Sequence, residues 1–212
     1  MDIHHFSRTY LKYLEENLSG LNLTRITSYD DFLVKQVVDS IKPFEDYNQL
    51  LDLVNSLSLF VDIGFGGGFP ILPLREFFGE KIKMIGIDSR RKKVDAVRLI
   101  SKFLNQKNIL FFHDRIEKLT FDKPAFFTLK AVGEINKFLQ LINCEPGSYV
   151  MFYKGPGLKE QEPNYKKNIG YEFISEYEIN ISNITRVVVL FKKISRNKTD
   201  NSLVKLSDFV FN

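Results

Sequence analysis

A chain of 212 residues, 44% hydrophobic and 26% charged, carries enough apolar material for a full core and has neither a disordered nor a membrane-embedded composition. One cysteine, Cys144, and three histidines exclude an intramolecular disulfide framework and give no zinc-type ligand spacing, so no metal site is expected. The formal charge of +4 permits an acidic partner without identifying one.

The first residues, with Asp2, His4 and His5, lack the apolar core of a signal peptide, and no run reaches the length of a membrane span. A cytoplasmic chain without membrane contact is expected. Phe6, Tyr10, Tyr13, Leu14 and Leu18 recur at helical spacing and predict a helix over 6–18, stopped at Leu18-Ser19-Gly20-Leu21. A second helix is predicted over 30–41, with an acidic start and Pro43 beyond its end, and a third over 47–57. Residues 1–57 therefore read as an N-terminal helical cap.

The pattern then alternates. Strands are predicted at 59–63, 82–87, 108–112, 125–129 and 147–153, with helices at 69–78, 90–104 and 132–143. Such alternation implies βαβ units and a mainly parallel sheet, hence an α/β class. Cys144 reads as a small buried hydrophobe at the end of the third of these helices. Gly155, Pro156, Gly157 and Pro163 mark 155–169 as a loop, and 171–179 with 185–192 read as an antiparallel hairpin on the sheet edge. The core so defined spans 58–194, leaving 195–212 as a polar tail.

The run Leu59-Phe60-Val61-Asp62-Ile63-Gly64-Phe65-Gly66-Gly67-Gly68-Phe69-Pro70 is a strand that breaks into glycines and opens a helix. Glycines there allow a tight turn and a close ligand approach that a Cβ would obstruct. The spacing alone equally describes an ordinary turn. A second strand ending in Asp88, 24 residues after Gly64, strengthens the nucleotide reading, because a carboxylate at that place holds a ribose diol. Asp88 also reads as a helix N-cap, with Ser89 competing for that role. Asp62 either caps nearby amides or meets a ligand amino group. Phe65 and Phe69 flank the glycines as cavity wall or as core, and Arg115-Ile116-Glu117 reads as a ligand-bearing or a solvated turn. Arg90, Arg91, Lys92 and Lys93 form the densest basic run, facing either RNA or water. These features do not distinguish a nicotinamide cofactor from S-adenosylmethionine.

Several separated motifs together resemble the RsmG (GidB) family of bacterial guanine-N7 methyltransferases of 16S rRNA, over about residues 5–193. They are Leu21-Asn22-Leu23-Thr24, Val38-Asp39-Ser40, the 61–70 glycine run with Leu72-Pro73-Leu74, Asp88-Ser89 with Lys92-Lys93, Arg115-Ile116-Glu117 and Lys154-Gly155. The resemblance implies a Rossmann-like S-adenosylmethionine-dependent methyltransferase fold: a seven-stranded, mostly parallel sheet with a C-terminal antiparallel hairpin and an N-terminal helical cap. It implies methyl transfer to N7 of a guanine in the 530 loop, within the 30S subunit or an assembly intermediate, by a monomer.

On that resemblance the cofactor falls to Asp62, Gly64, Gly66, Gly68, Phe69, Asp88, Ser89, Arg115, Ile116, Glu117 and Lys130. Lys130 and Lys154 would position the substrate, and Lys35, Gln36, Arg90, Arg91, Lys130 and Lys154 would face RNA. The chain departs from the family's pattern at Gln36 for a histidine, Lys130 for an arginine and Ile71 for a glycine. Gln36 cannot titrate, and Lys130 lacks the planar guanidinium fork. No general base is expected, because guanine N7 carries an in-plane lone pair. Two other readings stand beside this one: a non-catalytic rRNA-binding or ribosome-assembly module, and a nicotinamide-dependent oxidoreductase, which the missing proton carrier disfavours.

Overall fold

The computed structural model describes residues 1–212 except 25, 27, 58, 196–203 and 206–212. The strands are β1 (Leu59–Ile63), β2 (Lys83–Asp88), β3 (Ile109–His113), β4 (Leu119–Phe121), β5 (Phe126–Lys130), β6 (Asn143–Cys144), β7 (Tyr149–Lys154), β8 (Tyr171–Ile181), β9 (Ile184–Lys193) and β10 (Val204–Lys205). Seven of them form one sheet of order β3-β2-β1-β5-β7-β9-β8. Pairing is parallel from β3 through β7 and antiparallel at β9 and β8, the expected parallel sheet with an edge hairpin.

Strands covered on both faces read as continuous apolar runs, and alternate residues feed two cores. Phe60, Met84, Phe126 and Met151 pack on one face with the N-terminal helices, α5 (Ile71–Phe78) and α6 (Arg91–Phe103). Val61, Ile85, Phe127 and Val150 face the other way, toward α7 (Ile135–Leu141). The central strands and the three crossover helices match the predicted segments to within a few residues.

The N-terminal helices belong to the first of these cores. In α1 (Ile3–Leu18), Asp2 caps the amides of His4 and His5, and the buried Tyr10 hydroxyl donates to the Gly67 carbonyl at 2.7 Å. Next comes one continuous helix of three parts: α2 (Tyr29–Phe32), a π-helical Leu33–Val38, and α3 (Asp39–Asp46). Pro43 therefore lies inside this helix and not beyond its end. Proline removes one main-chain hydrogen bond, but Ile41 and Phe44 bury their side chains on this turn, and that packing carries the helix through. The third helix, α4, spans Asn48–Ser56.

Three features differ from the sequence reading. The strands β10, β4 and β6 make a small second sheet where none was expected, and Cys144 lies on β6, not at a helix end. Within 155–169 a single turn of helix, α8 (Leu158–Gln161), interrupts the loop. The predicted tail at 195–212 lies outside the described residues except for Ser195 and the backbone of β10. Among the described residues no helix is long and apolar enough to cross a membrane.

Candidate active site

In the sheet order β1 has β2 on one side and β5 on the other, so the chain reverses its direction of winding between β1 and β5. Open α/β sheets bind ligands at the carboxyl ends of strands at such a switch point. A cavity of about 1030 Å³ opens there, lined by the glycine loop, the ends of β2 and β5, and the 114–117 turn.

The glycines divide by role. Gly64 has φ 74° and donates its amide to the Ile87 carbonyl at 2.7 Å; a Cβ there would stand 2.6 Å from a Val132 methyl. Gly66, at φ 57°, donates its amide to Asp88 Oδ2 at 2.9 Å. Both line the cavity, as does Gly67. Gly68 does not: a Cβ would fall 2.5 Å from Leu72 Cδ1, so its smallness serves close packing of the loop on α5. Phe69 lines the cavity while packing against Tyr10 and Phe32, and Phe65 lines it while meeting Phe111 edge-on, so each serves as both wall and core.

Neither Asp88 nor Ser89 is the N-cap of α6, which is Arg90 with no side-chain cap; Asp88 instead ties the turn into α6 to the glycine loop. Oδ1 accepts from the Arg90 amide at 2.8 Å and Oδ2 from the Gly66 amide, while the side chain borders the cavity. Two amide donors fix the carboxylate and leave lone pairs for a diol. Ser89 is beside it, its carbonyl 3.1 Å from His113 Nε2. On the 114–117 turn, Ile116 is buried and gives an apolar wall, whereas Arg115 and Glu117 pair at 3.6 Å on the rim. Val132, Phe138 and Leu141 supply further apolar lining, which the sequence reading did not single out. The cavity thus offers a diol acceptor next to an apolar slot, the requirements of a nucleoside.

Asp62 sits apart from the lining. It is fully buried, accepts the Thr128 hydroxyl at 2.9 Å, and its Oδ2 lacks a partner of hydrogen-bonding geometry. Burial pushes its carboxyl up to about 7, against the pull of Thr128, the Ile71 amide and Lys130. The folded protein then binds a proton that an unfolded aspartate releases near pH 3.8, so the stability this group contributes at low pH is lost as pH rises toward 7. Asp62→Asn removes that loss. Thermal melts from about pH 4 to 8 should show the variant gaining on the wild type by the equivalent of a few kcal/mol; a pH-independent difference would contradict the assignment.

At the far side of the cavity, Asp39 from the helical cap joins β5 to β9. Its buried carboxylate lies 3.1 Å from Lys130 Nζ and 2.8 Å from Arg186 Nε. The sequence reading missed both Asp39 and Arg186 as site residues. Lys130 also donates toward Gln36 Oε1 at 3.3 Å and the Lys35 carbonyl at 3.4 Å. Burial pulls the Lys130 ammonium below its ordinary range while Asp39 pulls it back. Lys130 is thus an anchored charge, and Lys35 pairs with Asp31 at 2.7 Å on the outer side.

Lys154 lies outside the main cavity. It lines a neighbouring chamber and is held by Glu162 at 2.6 Å and the Gly133 carbonyl at 2.7 Å. Of the basic run, Arg90 and Lys93 border the main cavity, whereas Arg91 turns outward to Asp95 at 3.3 Å.

The profile of the family described as rRNA small subunit methyltransferase G matches residues 4–187. Two curated relatives carry the name ribosomal RNA small subunit methyltransferase G. The one from Petrotoga mobilis is 32% identical over 195 residues, 86% of this chain and 84% of the relative. The one from Alkaliphilus metalliredigens is 29% identical over 205 residues, 90% and 82% of the two chains. Among solved structures, a SAM-dependent methyltransferase from Aquifex aeolicus superposes with TM-score 0.52 at 18% identity, covering 74% of this chain and 92% of that one. That likeness is one of fold.

Proposed function

This chain belongs to the rRNA small subunit methyltransferase G family, an S-adenosylmethionine-dependent methyltransferase of 16S rRNA, and we propose how its residues perform the transfer. The acceptor is N7 of a guanine in the 530 loop. Asp88 would hold the ribose diol of S-adenosylmethionine, Ile116 and Ser89 would border its adenine, and Gly64, Gly66 and Phe69 its methionine end. Bound there, S-adenosylmethionine supplies a methyl carbon made electrophilic by its sulfonium.

The protein's own task is alignment and charge accommodation. Guanine N7 attacks with a lone pair already in the ring plane, so no side chain needs to remove a proton. Lys130, fixed by Asp39, holds a positive charge at the boundary of the cavity, where it would hold an RNA phosphate in place. Asp62, buried behind the cavity lining, shapes the β1–β5 junction through Thr128. Arg90, Lys93, Lys35 and Arg186 line the cavity on several sides and would meet RNA phosphates. A guanine in structured RNA must leave its stack to reach the cavity.

The observation carrying this reading is the Asp88 carboxylate, clamped by the Gly66 and Arg90 amides beside a cavity at the strand-order switch. We place the protein as a monomer in the bacterial cytoplasm, acting on the 30S subunit or a precursor. Labelled-methyl transfer to naked 16S rRNA and to 30S subunits, both from cells lacking the modification, tests the substrate form. Faster transfer to 30S subunits is expected; equal or faster transfer to naked rRNA would contradict it.

A further inference from the structure

Next to the cofactor cavity lies a chamber of about 330 Å³ that shares with it Lys130, Ala131, Val132 and Arg186. Ala131 turns the backbone at this junction with φ 55°, a conformation that side chains other than glycine rarely hold. Beyond the junction the wall carries an ion pair, Lys154 Nζ to Glu162 Oε1 at 2.6 Å, with each side chain only 12–15% exposed.

Both partners are held rigidly. Glu162 Oε2 accepts the Ile135 amide at 2.7 Å, at the start of α7, and Lys154 donates to the Gly133 carbonyl at 2.7 Å. Each retains capacity: the carboxylate has roughly four acceptor sites and two contacts, and the ammonium has three donors and two contacts. One wall of the chamber therefore presents an acceptor and a donor side by side.

We infer that this chamber receives the target guanine and that the Glu162–Lys154 pair reads its Watson–Crick edge. The inference rests on the proposed transfer to guanine N7. With N7 turned to the cofactor cavity, the adjoining flank of the base, from O6 through N1 to the N2 amine, enters the chamber. Guanine then offers N1–H and the N2 amine to Glu162 and O6 to Lys154. Adenine reverses both signs, setting its amine against the ammonium and its N1 lone pair against the carboxylate. A site that pairs a substrate's donors with a buried charge rejects analogues lacking them, because its own polar groups are left unmatched.

The test compares methyl transfer to 30S particles reconstituted with 16S transcripts carrying either guanine or inosine at the target position. Inosine keeps N7, O6 and N1–H and lacks only the N2 amine. The wild-type protein should favour guanine by roughly tenfold or more in kcat/KM, the range for one hydrogen bond to a charged group. Glu162→Gln keeps the size of the side chain and an oxygen for the Ile135 amide while removing the charge, and should reduce that ratio severalfold. A merely structural role would lower both rates and preserve the ratio. Equal wild-type rates on guanine and inosine, or an unchanged ratio in Glu162→Gln, would overturn the inference. If the variant fails to fold, the wild-type ratio decides alone. No wild-type transfer to either particle would overturn the N7-transfer reading and this inference with it.

Discussion

Asp39→Ala is expected to destabilise the fold by about 3–5 kcal/mol, the range for removing one partner of a buried charge pair. The carboxylate is 1% exposed and answers two cations, Lys130 on β5 and Arg186 on β9. Arg186 is partly exposed and can recover water. Lys130 cannot do so fully, because its side chain is only 10% exposed. Burial already pulls its ammonium down, and removing Asp39 removes the largest opposing influence. Pairing the change with Lys130→Met should restore much of the loss, since the stranded charge leaves with it. Denaturant titration of the three variants measures this. A loss below about 1 kcal/mol in the single variant would show that the triad does not tie the helical cap to the sheet.

Asp88→Ala should weaken S-adenosylmethionine binding by roughly tenfold to hundredfold, with a smaller effect on stability. The ligand loses a charged acceptor for its diol, and hydrogen bonds to charged groups contribute about 1.5–3 kcal/mol each. The variant also frees the Gly66 and Arg90 amides, so the glycine loop and the entry to α6 lose their common anchor. Those amides are next to the cavity, where water can satisfy them, which confines most of the effect to binding. Calorimetric titration with S-adenosylmethionine gives the answer directly. Unchanged affinity in a folded variant would remove Asp88 from the cofactor site.

The features legible in the sequence are those whose physics is local. The strand breaking at Gly64 and Gly66, and the second strand ending in Asp88, are legible because the glycine φ values and the acid's position each follow from a few neighbouring residues. Gly68 belongs to the same run yet serves packing on Leu72, a distinction that depends on how α5 returns to the loop. Asp39 and Arg186 lie 147 residues apart, and only the sheet order that puts β9 beside β7 brings them to one side of the cavity. Nothing in either local sequence marks that meeting. The strands β4, β6 and β10 are two or three residues long, too short for period-two alternation to register. The Pro43 helix shows propensity overridden by packing. Lys154 stands out in the sequence as a basic residue, but its partner Glu162 lies in a segment read as loop, so the pair does not.

Methylation of N7 on one guanine of 16S rRNA leaves a chemical signature that can be mapped. Reduction of N7-methylguanine saturates its imidazolium and loosens the base from its ribose, aniline then cleaves the RNA at that site, and primer extension locates the modified nucleotide. Undermethylated 30S subunits incubated with the protein and S-adenosylmethionine should yield one new cleavage, in the 530 loop, absent when the cofactor is withheld. Cofactor-dependent methyl incorporation with no such cleavage, or with cleavage elsewhere, would rule out transfer to N7 of a 530-loop guanine.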